Sequence, residues 1–189
     1  ERIHLLLRHR AAIDELTAVF NRRAFNQIAE AELARADRSH IWPALLVLDL
    51  DHFKSVNDRF GHAMGDQVLQ SVASSLPEDG DALALRMGGE EFMLVLRGKG
   101  AAQRAERVRQ AITARVARDI AGLDRPITAS MGLVEIPAEV MPEATFAAIY
   151  ARADGLLYQA KSAGRNRMAS ERMTAFARRP LGKRGTAGA

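Results

Sequence analysis

Ala44-Leu45-Leu46-Val47-Leu48 is an unbroken apolar run that leads straight into Asp49-Leu50-Asp51. A strand with one wet face alternates apolar and polar residues; a short continuous run of Leu and Val is instead a strand buried on both faces. Such a strand needs one layer packed above its sheet and another below it. The rest of the chain supplies material for both. Asn21 is placed to cap a helix over Ala24–Ala36. Val68, Leu69, Val72 and Leu76 form one stripe of a helix over Asp66–Leu76. Ala82–Met87 and Glu91–Leu96 are short strands joined through Gly88-Gly89, the pattern of a hairpin. A charged amphipathic helix follows over Ala101–Arg118, then a strand over Ile127–Ile136. Thr145–Ala163 is a long helix with Gly164 set to stop it, and Arg167–Ser170 is a short last strand. The expectation is an α/β fold: a mixed central sheet flanked by helices.

Residues 1–17 carry Ile3, Leu6, Ile13 and Leu16 at three- and seven-residue spacings, predicting a short amphipathic signalling or linker helix. One domain is expected over 18–170, followed by a basic, disordered tail over 171–189. In that tail Arg172, Arg178, Arg179, Lys183 and Arg184 stand against Glu171 alone, which accounts for the whole net charge of +4. The remainder is neutral, so no basic face for nucleic acid is expected. The absence of cysteine excludes disulfides, thiolate metal sites and a cysteine nucleophile. No apolar run approaches the roughly 18 residues of a membrane span, and the first residues do not resemble a signal peptide. The expected setting is therefore cytoplasmic, with no membrane contact in this stretch. A first residue inside a helical pattern suggests a fragment whose upstream sensor domain lies elsewhere.

Two segments concentrate chemistry. In Asp49-Leu50-Asp51-His52-Phe53-Lys54 a carboxylate follows a buried strand, where it can hold a hard cation such as Mg²⁺ or serve as an ordinary turn residue. In Arg86-Met87-Gly88-Gly89-Glu90-Glu91-Phe92 the glycines leave room for a phosphate. Two adjacent acids at a hairpin tip repel unless a metal neutralises them, or they form a solvated acidic turn. Carboxylates from a strand end and a neighbouring hairpin suit two-metal phosphoryl transfer, with metals roughly 3.5–4 Å apart.

Together with two flanking stretches, these segments resemble the GGDEF family of diguanylate cyclases. Asp14-Glu15-Leu16-Thr17 through Asn21-Arg22-Arg23-Ala24-Phe25 is similar to its opening motif. Asp49–Lys54, Val56-Asn57-Asp58 and Phe60-Gly61-His62 through Gly65-Asp66 resemble its nucleotide-binding stretch. Gly88-Gly89-Glu90-Glu91-Phe92 is its name motif in the GGEEF form, and Ala160-Lys161-Ser162-Ala163-Gly164-Arg165-Asn166-Arg167 resembles the closing motif. The resemblance implies a palm-like nucleotidyl cyclase fold and condensation of two GTP into cyclic di-GMP across a homodimer, with Mg²⁺ or Mn²⁺ and release of pyrophosphate. The alternative is a non-catalytic module that binds GTP or cyclic di-GMP.

The resemblance also assigns roles. Asp49, the backbone carbonyl of Leu50 and Glu90 match metal ligands; Glu90 and Glu91 match the catalytic acids. A metal-bound carboxylate is a poor base, so Glu90 is read as positioning metal and charge more than as abstracting a proton. Asn57 and Asp66 match guanine-reading positions, with His62 a nearby substrate contact. Lys54, Lys161 and Arg165 match phosphate-binding positions, and Phe53 would contribute a backbone N–H. By themselves Asp66 could cap its helix, His62 could lie in the core, and Lys161 and Arg165 could complement a helix dipole. One departure concerns regulation. The family's Arg-x-x-Asp product-inhibition motif would fall at Asp79 and Ala82, so tight product inhibition there is not expected.

Overall fold

The computed structural model describes residues 12–39, 43–77, 80–137 and 145–173. Most of the expected N-terminal helix, Asp79 and nearly all of the basic tail lie outside these residues. The apolar run forms strand β2 (Ala44–Leu50), buried along almost its full length as expected. It pairs antiparallel on one side with β4 (Glu91–Leu96) and on the other with β5 (Ala129–Glu135). Beyond β4 lie β3 (Ala82–Gly88), antiparallel, and the two-residue β1 (Phe20–Asn21), parallel to β3; beyond β5 lies β6 (Met168–Arg172), parallel. The sheet is thus mixed and six-stranded, in the order β1-β3-β4-β2-β5-β6.

The period-two alternation of β2 splits its side chains between two cores. Leu46, Leu48 and Leu50 face a cluster completed by helices α2 (Phe53–Phe60), α3 (His62–Ala73) and α4 (Ala101–Asp119). Leu45 and Val47 face a second cluster, under α1 (Ala24–Ser39) and α5 (Phe146–Ser162). Each layer buries apolar surface worth roughly 25 cal/mol per Å² removed from water. Among the described residues, no helix is long and apolar enough to cross a membrane.

Three local readings change. Residues 12–17 form a turn where the apolar spacing predicts helix: Asp14 Oδ1 accepts from both the N–H and the hydroxyl of Thr17, at 3.0 and 2.6 Å, and Ile13 bridges to Phe20. A short Asp side chain that satisfies nearby backbone competes directly with helix. Helix α2 has no counterpart in the sequence reading, because it is only eight residues long and starts from His52 in the left-handed region, at φ 58°. Its stability comes from Phe53 and Val56 reaching the core. Helix α3 begins four residues earlier than predicted and ends at Ala73, where Ser74 and Ser75 hydroxyls donate to the carbonyls of Gln70 and Val72. Asn21 does cap α1, its Oδ1 accepting from the N–H groups of Arg23 and Ala24.

Two glycines set how closely the layers approach. A Cβ on Gly65 would lie 1.9 Å from Asn57 Oδ1, so α3 packs directly against the Asn57 side chain. A Cβ on Gly132 would lie 2.0 Å from the Ala153 carbonyl oxygen and 2.5 Å from the Leu157 nitrogen. Helix α5 therefore rests its backbone on β5. Gly132→Ala should destabilise the domain by about 3 kcal/mol, because backbone cannot move aside as a side chain can. Chemical denaturation of both proteins measures this, and equal stability would exclude the close approach.

Candidate active site

The site lies at the end of β2, where strand and hairpin come together. Asp49 is the direct cross-strand neighbour of Glu91 on one side and Ser130 on the other. The Leu50 N–H donates to the Glu90 carbonyl at 3.3 Å, tying the strand end to the hairpin tip. That tip needs its glycines: Gly88 and Gly89 have φ of 145° and 51°, and the β3–β4 register shifts between Arg86 and Gly88. Arg86 clamps the turn. Its guanidinium donates twice to the Gly89 carbonyl, at 3.0 and 2.8 Å, and to both Asp14 oxygens, at 3.0 and 3.3 Å. Although burial opposes it, hydrogen bonds from Thr17 and Arg86 hold the Asp14 carboxyl below its ordinary range.

Three acids, Asp49, Glu90 and Glu91, share this edge. Burial pushes the Asp49 carboxyl up and the charges of Glu90 and Glu91 add to the push, while Lys161 pulls the other way without cancelling it. The Lys161 ammonium lies 3.0 Å from Asp49 Oδ1. Glu91 Oε1 accepts from the Tyr150 hydroxyl at 2.8 Å. Burial and that hydrogen bond raise the Tyr150 hydroxyl well above the usual tyrosine range, so it remains a donor at neutral pH. Among the described residues no three His, Asp or Glu side chains converge into a ready-made metal cage. Carboxylate and carbonyl oxygens at Asp49, Leu50 and Glu90 nevertheless fit Mg²⁺ or Mn²⁺, since Mg²⁺ commonly takes one or two carboxylates and completes its shell with water and substrate phosphates. Like charges pressed together are the environment that such an ion relieves.

The remaining expected residues divide. Asn57 packs across the α2–α3 junction against Gly65, the residue before Asp66. Asp66 lies inside α3 and is exposed, and the α3 N-cap is Gly61, which removes the capping alternative. His62 is exposed at the first position of α3, not in the core. The Phe53 ring is buried, as expected of a residue contributing its backbone. Lys54 is exposed and pairs with Asp58 one turn along α2, at 3.0 Å. Arg165 sits in a turn that ends α5 as a Schellman motif. The Arg165 N–H donates to the Ala160 carbonyl and the Gly164 N–H to that of Lys161.

Sequence reasoning missed Asp51. It is buried, and its oxygens accept from Ser130 Oγ at 2.6 Å, Thr128 Oγ1 at 2.7 Å and the Asn166 N–H at 3.0 Å. Arg165 and Asn166 both have positive φ, 62° and 46°, a conformation that costs non-glycine residues energy. Asp51 and Arg109, which donates to the Asn166 side chain and carbonyl, hold them there. The available signal was a second acid two residues after Asp49, on the same side of the strand. Near the start of β3, the acidic segment is also less isolated than its sequence suggests. Arg104 donates to the Asp81 carbonyl, and Arg104 and Arg107 line an open cleft with Ser75 and Pro77.

A strand-end acid facing a glycine-rich acidic hairpin on a mixed sheet, with a lysine brought in from the last helix, is consistent with a palm-like nucleotidyl cyclase fold. The chain belongs to the GGDEF family: residues 11–167 match the family model for "Diguanylate cyclase, GGDEF domain". It is 39% identical to diguanylate cyclase VdcA of Vibrio cholerae over 166 residues, covering 84% of this chain and 46% of that protein. It is 40% identical to diguanylate cyclase DgcP of Pseudomonas aeruginosa over 167 residues, covering 85% of this chain and 24% of that one. The chain thus spans less than half the length of these relatives. In structure it resembles the coiled coil and GGDEF domain of DgcB from Caulobacter crescentus in complex with c-di-GMP. There the TM-score is 0.74 at 31% identity, covering 90% of this chain and 91% of that one. It also resembles the diguanylate cyclase SiaD of Pseudomonas aeruginosa in complex with its activator SiaC, at TM-score 0.75 and 34% identity, covering 90% and 65%.

Asp51→Ala should leave the Asn166 N–H without its acceptor and loosen the turn that carries Arg165. The expected result is a KM for GTP raised about tenfold, with a smaller change in kcat. Steady-state kinetics measure both, and an unchanged KM would leave Asp51 without influence on the turn.

Proposed function

We propose that this domain is a diguanylate cyclase, condensing two GTP into cyclic di-GMP and releasing two pyrophosphates. The observation that best supports this is the meeting of Asp49, Glu90 and Glu91 at one end of the sheet, with Lys161 against Asp49. When bound, Mg²⁺ or Mn²⁺ neutralises charge on the triphosphate. Asp49, the Leu50 carbonyl and Glu90 are the residues that would hold it.

The chain's own groups then bind and orient one GTP per protomer. Lys161 and Arg165 attract the β- and γ-phosphates, and Lys54 joins them by leaving Asp58, an exposed pair that costs little to break. The Phe53 N–H, in the first turn of α2, donates to phosphate oxygen. Asn57 and Asp66 read guanine. A carboxylate accepts from guanine N1–H and N2–H₂ together, which adenine cannot offer. His62 lies one turn before Asp66 on the same helix and contacts the bound nucleotide.

Each bound GTP presents its 3′-hydroxyl to the α-phosphorus of the GTP on the partner protomer. The O3′–Pα bond forms as the bond from Pα to the bridging oxygen of pyrophosphate breaks, and the hydroxyl proton leaves to water. One protomer cannot close the ring, so the active species is a homodimer, and an upstream sensor acts by changing how the protomers face one another. Mass spectrometry of products from GTP with Mg²⁺ tests this directly. Cyclic di-GMP supports it; GTP bound but returned unchanged identifies a non-catalytic module instead.

Glu90→Gln should reduce turnover at least about a hundredfold while weakened GTP binding persists, because it removes charge from the metal position. Turnover near that of the unsubstituted protein would remove Glu90 from the site. Asp66→Ser should lower the preference for GTP over ATP by about tenfold or more, since a site built to hydrogen-bond one edge rejects ligands lacking it. Competition between the two nucleotides in both proteins is the measurement, and an unchanged ratio would take Asp66 out of base recognition.

A further inference from the structure

Asp49 and Glu91 are direct cross-strand neighbours on the α5 side of the sheet, an arrangement in which like charges destabilise pairing. Helix α5 answers each of them differently. Asp49 receives the Lys161 ammonium at 3.0 Å, and Glu91 receives the Tyr150 hydroxyl at 2.8 Å. The two donors are about three helical turns apart, which places them on one face of α5.

The Tyr150 ring is held independently of Glu91. It packs edge-on against Phe25 of α1, with centroids 5.8 Å apart and planes at 72°. Phe25 in turn packs edge-on against Phe146, at 5.3 Å and 69°. Aromatic pairs of this kind fix ring orientation, so the hydroxyl meets Glu91 from a rigid mount. A neutral donor also differs from a cation in its effect. It fixes one carboxylate oxygen without cancelling the negative charge that attracts a divalent metal.

We propose that Tyr150 is a positioning residue for Glu91: it ties Oε1 and so directs the second carboxylate oxygen into the metal and phosphoryl site. This rests on the cyclase reading above. Asn57, His62 and Asp66 lie on α2 and α3, which pack on the other face of the sheet. Tyr150 therefore acts on turnover and metal affinity, not on recognition of the base.

The test is Tyr150→Phe in the whole chain, which keeps the ring packing and removes one oxygen. Expected are a kcat lowered about tenfold, a KM for GTP within about twofold at saturating metal, and an unfolding midpoint lowered by only a few degrees. Mn²⁺ affinity, titrated by electron paramagnetic resonance with an α,β-methylene GTP analogue present, should fall roughly fivefold. Both losses should vanish when the substitution is made in a Glu91→Ala background, which removes the acceptor, because the contact acts only through that carboxylate. Unchanged kcat and Mn²⁺ affinity would overturn the proposal, as would losses of the same size in the Glu91→Ala background. If the unsubstituted chain makes no cyclic di-GMP, it is the cyclase reading that fails. The Mn²⁺ titration then still decides the positioning of Glu91, a drop that depends on Glu91 supporting it and no drop overturning it.

Discussion

The site depends on how closely helix α5 lies on the sheet. At Gly132 the backbones of β5 and α5 meet with no space for even a methyl group. That contact sets the height of the whole helix, and three groups of the site follow from it. Tyr150 reaches Glu91, Lys161 reaches Asp49, and the Schellman turn that closes the helix carries Arg165 to the same end of the sheet. Helix α5 also closes the second core through Phe146, Ile149, Ala153, Leu156 and Leu157. Packing and site geometry are therefore set by the same contact.

Around that frame, three other half-buried or buried acids among the described residues have specific donors. Asp14 has Thr17 and Arg86, and Asp51 has Ser130, Thr128 and the Asn166 N–H. Glu32, buried in α1, is met by Arg97 at the end of β4. Removing one partner from such a contact exposes the desolvation cost of the other, typically 1–3 kcal/mol and more for a charge. Asp49, Glu90 and Glu91 are the exception. They stand together, Asp49 is pushed upward by burial and by its neighbours, and one lysine and one tyrosine moderate rather than cancel the charge. A concentration of negative charge left incompletely balanced at one point is suited to a divalent cation and, through that cation, to a triphosphate.

Arg86 links the hairpin to the segment that enters the domain. One guanidinium holds the Gly89 carbonyl and both Asp14 oxygens, so the Asp14 turn and the tip that carries Glu90 are joined through a single side chain.

The amino-acid sequence by itself determined the layered α/β architecture, because an unbroken apolar strand flanked by helical periodicities has few other ways to bury its surface. It also determined the family and the positions of the acids, through motifs whose residue types follow from phosphate and metal chemistry. It did not disclose the turn at Asp14, the short helix at Phe53 or the role of Asp51, since each is stabilised by partners far along the chain or by too few residues to show a period. Tyr150 carried only the signal of an apolar helix face; its link to Glu91, 59 residues away, arises where two antiparallel strands and a helix cross. Lys54 and Lys161 look alike as basic residues beside motifs, yet only Lys161 meets an acid of the site. Tertiary structure decided that difference, because electrostatic contacts depend on distances of a few ångströms that residue order does not encode.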